Sequence, residues 1–138
     1  MITLRRAHVE QMYAHAREAH PAECCGLLGG SPSGEAQTVY RLRNVARAPL
    51  FAYEAAPEEL FAAQKLMRER GEQLLGIYHS HPRSAAPLPS ESDVRLAYYP
   101  SATYFIIGLG EAKPRLRAFR IKEREALWER VRYTVSDD

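Results

Sequence analysis

The sequence is poor in cysteine, in net charge and in long apolar runs, and each shortage argues against a class of protein. Its two cysteines, Cys24 and Cys25, are adjacent, unlike the spaced cysteines of a small secreted disulfide protein. Because a disulfide needs two separated Cα positions, the pair predicts free thiols in a reducing compartment. A net charge of +2 gives no reason to expect nucleic acid or a membrane surface as a partner.

Apolar segments are also short. No run approaches the length of a membrane span, and the N-terminal segment MITLRRAHVEQ has no apolar core of signal-peptide length. These features predict a cytoplasmic protein. A length of 138 residues is close to the commonest domain size, so we expect a single domain over residues 1–138.

Segments with strand and helix patterns alternate along the chain. Apolar residues at helical spacing predict one helix over residues 6–19 and another over residues 57–70, where Pro57 occupies the first position. Ser90 is a suitable N-cap for a third helix that extends to about Tyr98. Apolar and alternating segments predict strands at residues 2–4, 23–29, 37–43, 74–79, 103–109 and 116–121.

The sequence does not determine the secondary structure of two segments. Residues 44–56 form a long connection, and loops of this length often serve function, so it is a candidate wall for a groove. Over residues 123–135, Leu127, Trp128 and Val131 suit a helix, whereas residues 133–135 suit a last strand.

The most informative stretch is GIYHSHPRSAAPLPSESD, residues 76–93. His79 and His81 share one face of an extended strand, because strand side chains alternate with a period of two. Asp93 returns after a loop, in the first turn of the predicted helix. Two imidazoles and one carboxylate would bind zinc and leave a position open for water. Asp93 also suits the helix dipole without any metal, and Ser90 needs no role beyond its cap.

A hydrolytic metal site also needs a group that accepts and returns a proton. Glu23 is the best candidate, because it begins a segment of small and apolar residues where a charge serves no packing purpose. An exposed carboxylate at a strand end is the alternative interpretation.

The spacing His79-x-His81-Pro82, seven residues, Ser90-x-x-Asp93 resembles the JAMM (MPN+) motif of zinc metalloproteases without a gap or substitution. The upstream run from Pro21 to Gly30 is similar to the segment that carries the catalytic glutamate of that family. The resemblance extends from the first helix to about residue 109. It implies an α/β (α+β) fold of the cytidine-deaminase-like JAB/MPN type, a three-layer domain in which helices flank a mixed, mostly antiparallel sheet.

The same resemblance implies a function. One zinc ion would be held by His79, His81 and Asp93, Glu23 would act as general base and then general acid, and Ser90 would help to hold the oxyanion. Small prokaryotic members act on ubiquitin-like sulfur-carrier proteins, so the implied substrate is a carrier tail that ends in Gly-Gly. A homodimer is left open.

Three other interpretations compete. Cys25 shares a face with Glu23 and could be a thiol nucleophile, although no histidine spacing identifies a partner, and core packing is the simpler role. A zinc nucleoside deaminase would require H-x-E and P-C-x-x-C signals, which the sequence lacks. Related domains without the metal site serve as interaction scaffolds, but here every ligand position is filled.

Overall fold

The computed structural model describes residues 1–137, so the last residue of the domain predicted over residues 1–138 lies outside the described residues. The helices are α1 (Arg6–Ala19), α2 (Pro57–Glu69) and α3 (Glu91–Arg95), and a short 3-10 helix spans Glu123–Glu125. The strands are β1 (Ile2–Arg5), β2 (Cys25–Gly30), β3 (Ala36–Leu42), β4 (Gln73–His81), β5 (Thr103–Gly108), β6 (Arg115–Lys122), β7 (Leu127–Val131) and β8 (Tyr133–Ser136).

Six strands form the main sheet in the order β3-β2-β4-β5-β6-β7, and β1 pairs with β8 in a separate two-stranded sheet. Within the main sheet only β4 and β5 run parallel, whereas the other neighbours are antiparallel. The predicted mixed, mostly antiparallel sheet is therefore confirmed. β4, which carries the two histidines, has strands on both sides.

Helices cover both faces of the sheet, as predicted. Residues of β4 alternate between two cores: Ile77 packs in the core that includes Ala63 of α2, and Tyr78 packs in the core that includes Met12 of α1. This alternation follows from the period of two along a strand. His79, two residues after Ile77, therefore faces the side of the sheet that α2 covers.

The third helix was predicted to extend to about Tyr98, but it ends at Arg95. After Arg95 the helical hydrogen-bond pattern is lost, because the N–H of Ala97 donates to the Val94 carbonyl at 3.3 Å and that of Tyr98 to the Leu96 carbonyl at 3.0 Å. The N–H of Tyr99 then donates to the hydroxyl oxygen of Tyr104 at 3.2 Å. Pro100 also restricts the chain here, since a proline disfavours helical geometry at the residue before it.

The tail forms strands, so the helix considered for residues 127–131 is wrong. β7 pairs antiparallel with β6, and β8 pairs parallel with β1, which agrees with the last strand predicted at residues 133–135. The strand also lets the ring of Trp128 pack edge-on against Phe119, with ring centroids 5.4 Å apart. Among residues 1–137, no helix combines the length and the apolar character needed to cross a membrane.

Asn44 holds the long connection of residues 44–56 in place. Its Nδ2 donates to the carbonyl oxygens of Glu23 and Ala52, at 2.9 and 3.0 Å. Its Oδ1 accepts the backbone N–H groups of Ala46 and Glu54, both at 3.0 Å. One side chain thus ties both ends of the connection together and binds them to the backbone of Glu23.

We predict that Asn44→Ala lowers the free energy of unfolding by about 2–3 kcal/mol, because four hydrogen bonds to backbone groups are lost. Urea unfolding measures this loss, and hydrogen exchange should show faster exchange at the Ala46 and Glu54 amides. Gln37→Ala, which removes an exposed amide from β3, is the matched control. Equal stability of Asn44→Ala and Gln37→Ala would contradict the bracing role of Asn44.

Candidate metal centre

β4 presents His79 and His81 on the same face, as the sequence predicted. His79 is fully buried, whereas the His81 side chain retains 15% of its exposure. His79 lies between Cys25 of β2 and Ile106 of β5 in the sheet register, so its backbone is fixed on both sides. His81 is opposite Gly108 at the end of the parallel pair.

The loop after His81 folds back over the end of β5. The N–H of Ser84 donates to the His81 carbonyl at 3.1 Å, and the N–H of Gly110 donates to the Ser84 carbonyl at 2.8 Å. Gly108 permits this approach, because a Cβ there would lie 2.5 Å from the Ser84 carbonyl oxygen and 2.7 Å from Pro87 Cδ. The loop is thereby directed back toward the two histidines.

A capping box at the start of α3 then orients Asp93. The Ser90 hydroxyl accepts the Asp93 N–H at 3.1 Å, and Asp93 Oδ2 accepts the Ser90 N–H at 2.9 Å. These reciprocal bonds satisfy donors that a helix start would otherwise leave unpaired. They also turn the carboxylate of Asp93 toward β4.

Three candidate ligand atoms form a nearly equilateral triangle. Asp93 Oδ2 lies 3.0 Å from His81 Nε2 and 3.1 Å from His79 Nε2, and the two nitrogens are 3.2 Å apart. Atoms that bind one ion tetrahedrally at about 2 Å lie about 3.3 Å from one another, so the triangle suits a small divalent metal. Ligand atoms of Glu23, His79 and His81 also lie within 4.8 Å of one another. The shorter distances favour Asp93 over Glu23 as the third ligand.

The charge states of these residues suit a metal as well. Burial lowers the pKa of His79, although Asp93 opposes the shift, so the ring is neutral at neutral pH. Burial works against ionisation of Asp93, but the two histidines and the Ser90 N–H outweigh it and hold its pKa well below the usual range. Because His79 is neutral, the low pKa of Asp93 results from the hydrogen bonds that its carboxylate accepts. A neutral imidazole and an ionised carboxylate are the forms that bind metal.

Glu23 reaches this centre from just before β2. Its N–H donates to the Pro49 carbonyl at 2.8 Å, and the next residue, Cys24, is joined to Ser80 by two hydrogen bonds. The N–H of Cys24 donates to Ser80 Oγ at 2.8 Å, and the N–H of Ser80 donates to the Cys24 carbonyl at 3.2 Å. The backbone next to Glu23 is therefore fixed to Ser80, the residue between the two histidines.

The Glu23 carboxyl group is buried, which excludes the exposed strand-end alternative. The residue is 6% exposed, and its Oε1 has no hydrogen-bond partner among residues 1–137. Burial raises the pKa of Glu23 to about 7, while His81 and Arg83 oppose the rise and Asp93 adds to it. A carboxyl group with this pKa can both accept and release a proton near neutral pH.

Both cysteines are packed in the core. Burial raises the pKa of Cys24 to about 11 and that of Cys25 to about 12, so neither thiol ionises at neutral pH. Cys25 is next to His79 in the sheet, but its Sγ lies 3.7 Å from the Leu42 carbonyl oxygen. A thiol nucleophile is therefore not supported, because the thiolate is the reactive form.

Sequence reasoning missed three residues at this centre. The Tyr53 ring stacks on His79 with centroids 4.4 Å apart, Asn44 fixes the backbone of Glu23, and Arg83 lies beside the opening. Tyr53 and Asn44 belong to the long connection that the sequence marked as a candidate wall, which was the available signal. A pocket of about 440 Å³ opens over the centre, lined by Glu23, Leu50, Phe51, His81, Pro82, Arg83, Ser84 and Ser90.

The curated proteins that this chain resembles include peptidases and a protease. The chain is 37% identical over 102 residues to desampylase of Haloferax volcanii, covering 70% of this chain and 73% of that protein. It is 34% identical over 123 residues to CysO-cysteine peptidase of Mycobacterium tuberculosis, covering 88% and 83%. It is 38% identical over 118 residues to a probable TtuB-protein conjugate cleaving protease of Thermus thermophilus, covering 86% and 74%. The predicted class of enzyme, a hydrolase of peptide or isopeptide bonds, is thereby confirmed.

Solved structures share the fold. A Desulfitobacterium hafniense protein has a TM-score of 0.88 at 40% identity, covering 100% of this chain and 94% of that chain. A JAB1/MPN domain protein of Archaeoglobus fulgidus has a TM-score of 0.65 at 20% identity, covering 99% and 98%, which shows the fold alone. The model of the prokaryotic homologues of the JAB domain matches residues 5–122. The chain therefore belongs to the family of prokaryotic homologues of the JAB domain, as its motif predicted.

Proposed function

We propose that this chain is a zinc-dependent peptidase that cuts the bond after the C-terminal Gly-Gly of a ubiquitin-like carrier protein. One observation carries the proposal: His79, His81 and Asp93 converge in a triangle about 3 Å on a side, with the buried carboxyl group of Glu23 beside it. A set of two imidazoles and one carboxylate is typical of catalytic zinc, since three protein ligands leave one position open.

Glu23 is the proton carrier of the reaction. A bound zinc ion would supply Lewis acidity and lower the pKa of a water molecule to about 7. Glu23 accepts a proton from the attacking water and later delivers it to the nitrogen that leaves. Its position supports both transfers, because its backbone is anchored to Pro49 and its neighbour Cys24 is anchored to Ser80.

Ser90 is the donor to the carbonyl oxygen of the scissile bond. Its hydroxyl oxygen accepts the Asp93 N–H and lies 3.2 Å from the Ser92 hydroxyl oxygen. A hydroxyl group has one proton to donate besides its lone pairs, so capping α3 leaves the Ser90 proton available. A donor aimed at the developing oxyanion lowers the barrier, since it stabilises charge that appears only in the transition state.

The proposed substrate follows from the relatives and from the opening. The names of two relatives refer to CysO-cysteine and to TtuB-protein conjugates. Loops 44–56 and 83–89 enclose the centre. Substrate glycines before the scissile bond suit this narrow space, since a glycine has no side chain to clash with the loops. We expect the carrier tail to extend along a sheet edge. We also expect the enzyme to act in the cytoplasm. Neither nucleic acid nor a membrane is expected as a partner. A homodimer is left open.

We predict that His81→Ala loses both zinc and cleavage, whereas Glu23→Gln retains zinc and loses about 100- to 10,000-fold in kcat, the usual contribution of a general acid–base. Zinc content is measured by elemental analysis of the purified proteins. Cleavage is measured on a ubiquitin-like carrier extended by one residue beyond Gly-Gly.

Normal cleavage by Glu23→Gln would disprove the role of Glu23. A wild-type protein that binds no zinc and cleaves nothing would instead favour the interaction scaffold. Glu54→Gln, which changes an exposed carboxylate on the long connection, should match the wild type in both assays.

We predict that two substitutions of Ser90 differ in their effect on stability but not in their effect on catalysis. Ser90→Ala should lower the free energy of unfolding by about 1 kcal/mol, and Ser90→Gly by only a few tenths, because glycine is the better N-cap. Both variants should lose about 100- to 1,000-fold in kcat, because both lack the hydroxyl donor. Urea unfolding and single-turnover cleavage measure the two effects. If Ser90→Gly keeps normal kcat, Ser90 is a cap alone.

The raised pKa of Glu23 predicts a pH dependence of stability in the metal-free protein. The folded pKa is about 7, against about 4.3 in an unfolded chain. Between these values the folded state keeps a proton that the unfolded state releases, so stability falls as pH rises through this window and levels off above it. Glu23→Gln removes this loss of stability, because the glutamine side chain does not ionise.

We therefore expect Glu23→Gln to gain stability over the wild type with rising pH, by roughly 3 kcal/mol above pH 7. Urea unfolding of the chelator-treated proteins from about pH 5 to about pH 8 measures the difference. Glu54→Gln, which changes an exposed carboxylate, again serves as the control. A constant difference between Glu23→Gln and the wild type across this range would show that Glu23 is ionised throughout.

A further inference from the structure

Arg83 is held beside the opening of the metal centre by an aromatic ring. Its guanidinium carbon lies 4.6 Å from the centroid of the Phe51 ring. Both side chains are exposed and line the pocket over Glu23, His81 and Ser90. Stacking on an aromatic face restricts the guanidinium without occupying its in-plane N–H donors.

The donors of Arg83 have no partner in the part of the chain that the structure describes. Among residues 1–137, no carboxylate forms an ion pair with Arg83 and no acceptor forms a hydrogen bond with its side chain. Arg41 and Arg43, in contrast, pair with glutamates at 2.9 and 3.0 Å. An arginine that is oriented but unpaired is prepared to bind an anion, and its planar fork matches a carboxylate.

Arg83 also lies near Glu23, the group that returns a proton to the leaving nitrogen. Glu23 delivers a proton to the leaving nitrogen, so that group passes by Glu23. Phe51 is two residues after Pro49, whose carbonyl accepts the Glu23 N–H at 2.8 Å, so the ring that supports Arg83 belongs to the wall beside Glu23.

Charge at the opening gives Arg83 a specific purpose. Once Glu23 has given up its proton, its carboxylate would repel a substrate carboxylate beside it. Among the described residues that line the pocket, Arg83 alone carries a permanent positive charge. It therefore offsets this repulsion at the position that a group just beyond the scissile bond would reach.

We propose that Arg83, supported by Phe51, binds the free α-carboxylate of a leaving amino acid, so that the enzyme prefers carriers with one residue after Gly-Gly over carriers joined to a lysine side chain. The α-carboxylate of a single residue is one carbon from the leaving nitrogen. In an isopeptide the leaving nitrogen is the lysine ε-amine, and no free carboxylate is next to it.

This inference rests on the proposed function and specifies its substrate. The reaction consumes one water molecule, whose oxygen enters the new glycine carboxylate as the C–N bond breaks. The proton that Glu23 accepted goes to the leaving nitrogen. The second proton of the water is lost as the new glycine carboxyl group ionises and converts the amine to an ammonium, and a free amino acid is released with its own carboxylate unchanged.

The test compares three forms of one substrate. CysO is prepared with one cysteine after its C-terminus as the free carboxylate, with the same cysteine as the carboxamide, and as an isopeptide to the ε-amine of Nα-acetyl-lysine amide. We expect wild-type kcat/KM to be about tenfold higher for the carboxylate than for the carboxamide. The isopeptide should resemble the carboxamide, because neither has a carboxylate beside the leaving nitrogen.

Variants connect the preference to Arg83. Arg83→Ala should lower the carboxylate-to-carboxamide ratio to about one by slowing the carboxylate substrate alone. Phe51→Ala should give an intermediate ratio, since the cation remains without its support. Arg47→Ala removes an exposed arginine from the same long connection and should keep the wild-type ratio.

The outcomes distinguish this inference from the proposed function. Equal kcat/KM for the carboxylate and the carboxamide in the wild type would overturn the inference and leave the peptidase function intact. A preference that persists in Arg83→Ala would overturn it as well. No cleavage of any form by zinc-loaded wild-type protein would overturn both the proposed function and the inference.

Discussion

One carboxylate oxygen connects the parts of the candidate centre. Asp93 Oδ2 accepts the Ser90 N–H at 2.9 Å and lies 3.0 Å from His81 Nε2 and 3.1 Å from His79 Nε2. The helix that carries it has five residues, too few to be stable by itself. The helix start and the histidines therefore depend on the same atom, and an N–H bond to a ligating carboxylate is a typical means of orienting it.

The local part of this centre could be predicted from sequence, because each signal spans only a few residues. The period of two places His79 and His81 on one face, and the capping pattern places Asp93 in the first turn after Ser90. The hairpins and the first two helices follow from equally local patterns. Glu23 could be singled out, because a charge among small and apolar residues is unusual.

The remainder depends on contacts between distant residues, which local patterns do not encode. The apolar spacing over residues 127–131 fits a helix or a strand, and pairing with β6 determines the outcome. The bond from Tyr99 to Tyr104 of β5 forms beyond the end of the third helix and has no local signal. Asn44 shows no local sign of its role, since it contacts Glu23 across 21 positions. That the Arg83 donors lack a partner among residues 1–137 is likewise visible only when its surroundings are known.

The parallel pairing of β4 with β5 has a topological consequence. Parallel neighbours need a crossover between them, and here residues 82–102 form the crossover and also carry half of the centre. A metal shared by His81 and Asp93 would act as a crosslink that closes a loop across 12 positions. Among residues 1–137, the strand pairing of the main sheet does not involve Asp93, so loss of a bound metal would loosen the crossover and leave the sheet assembled. The proposed zinc site would then be able to empty and refill without disassembly of the main sheet.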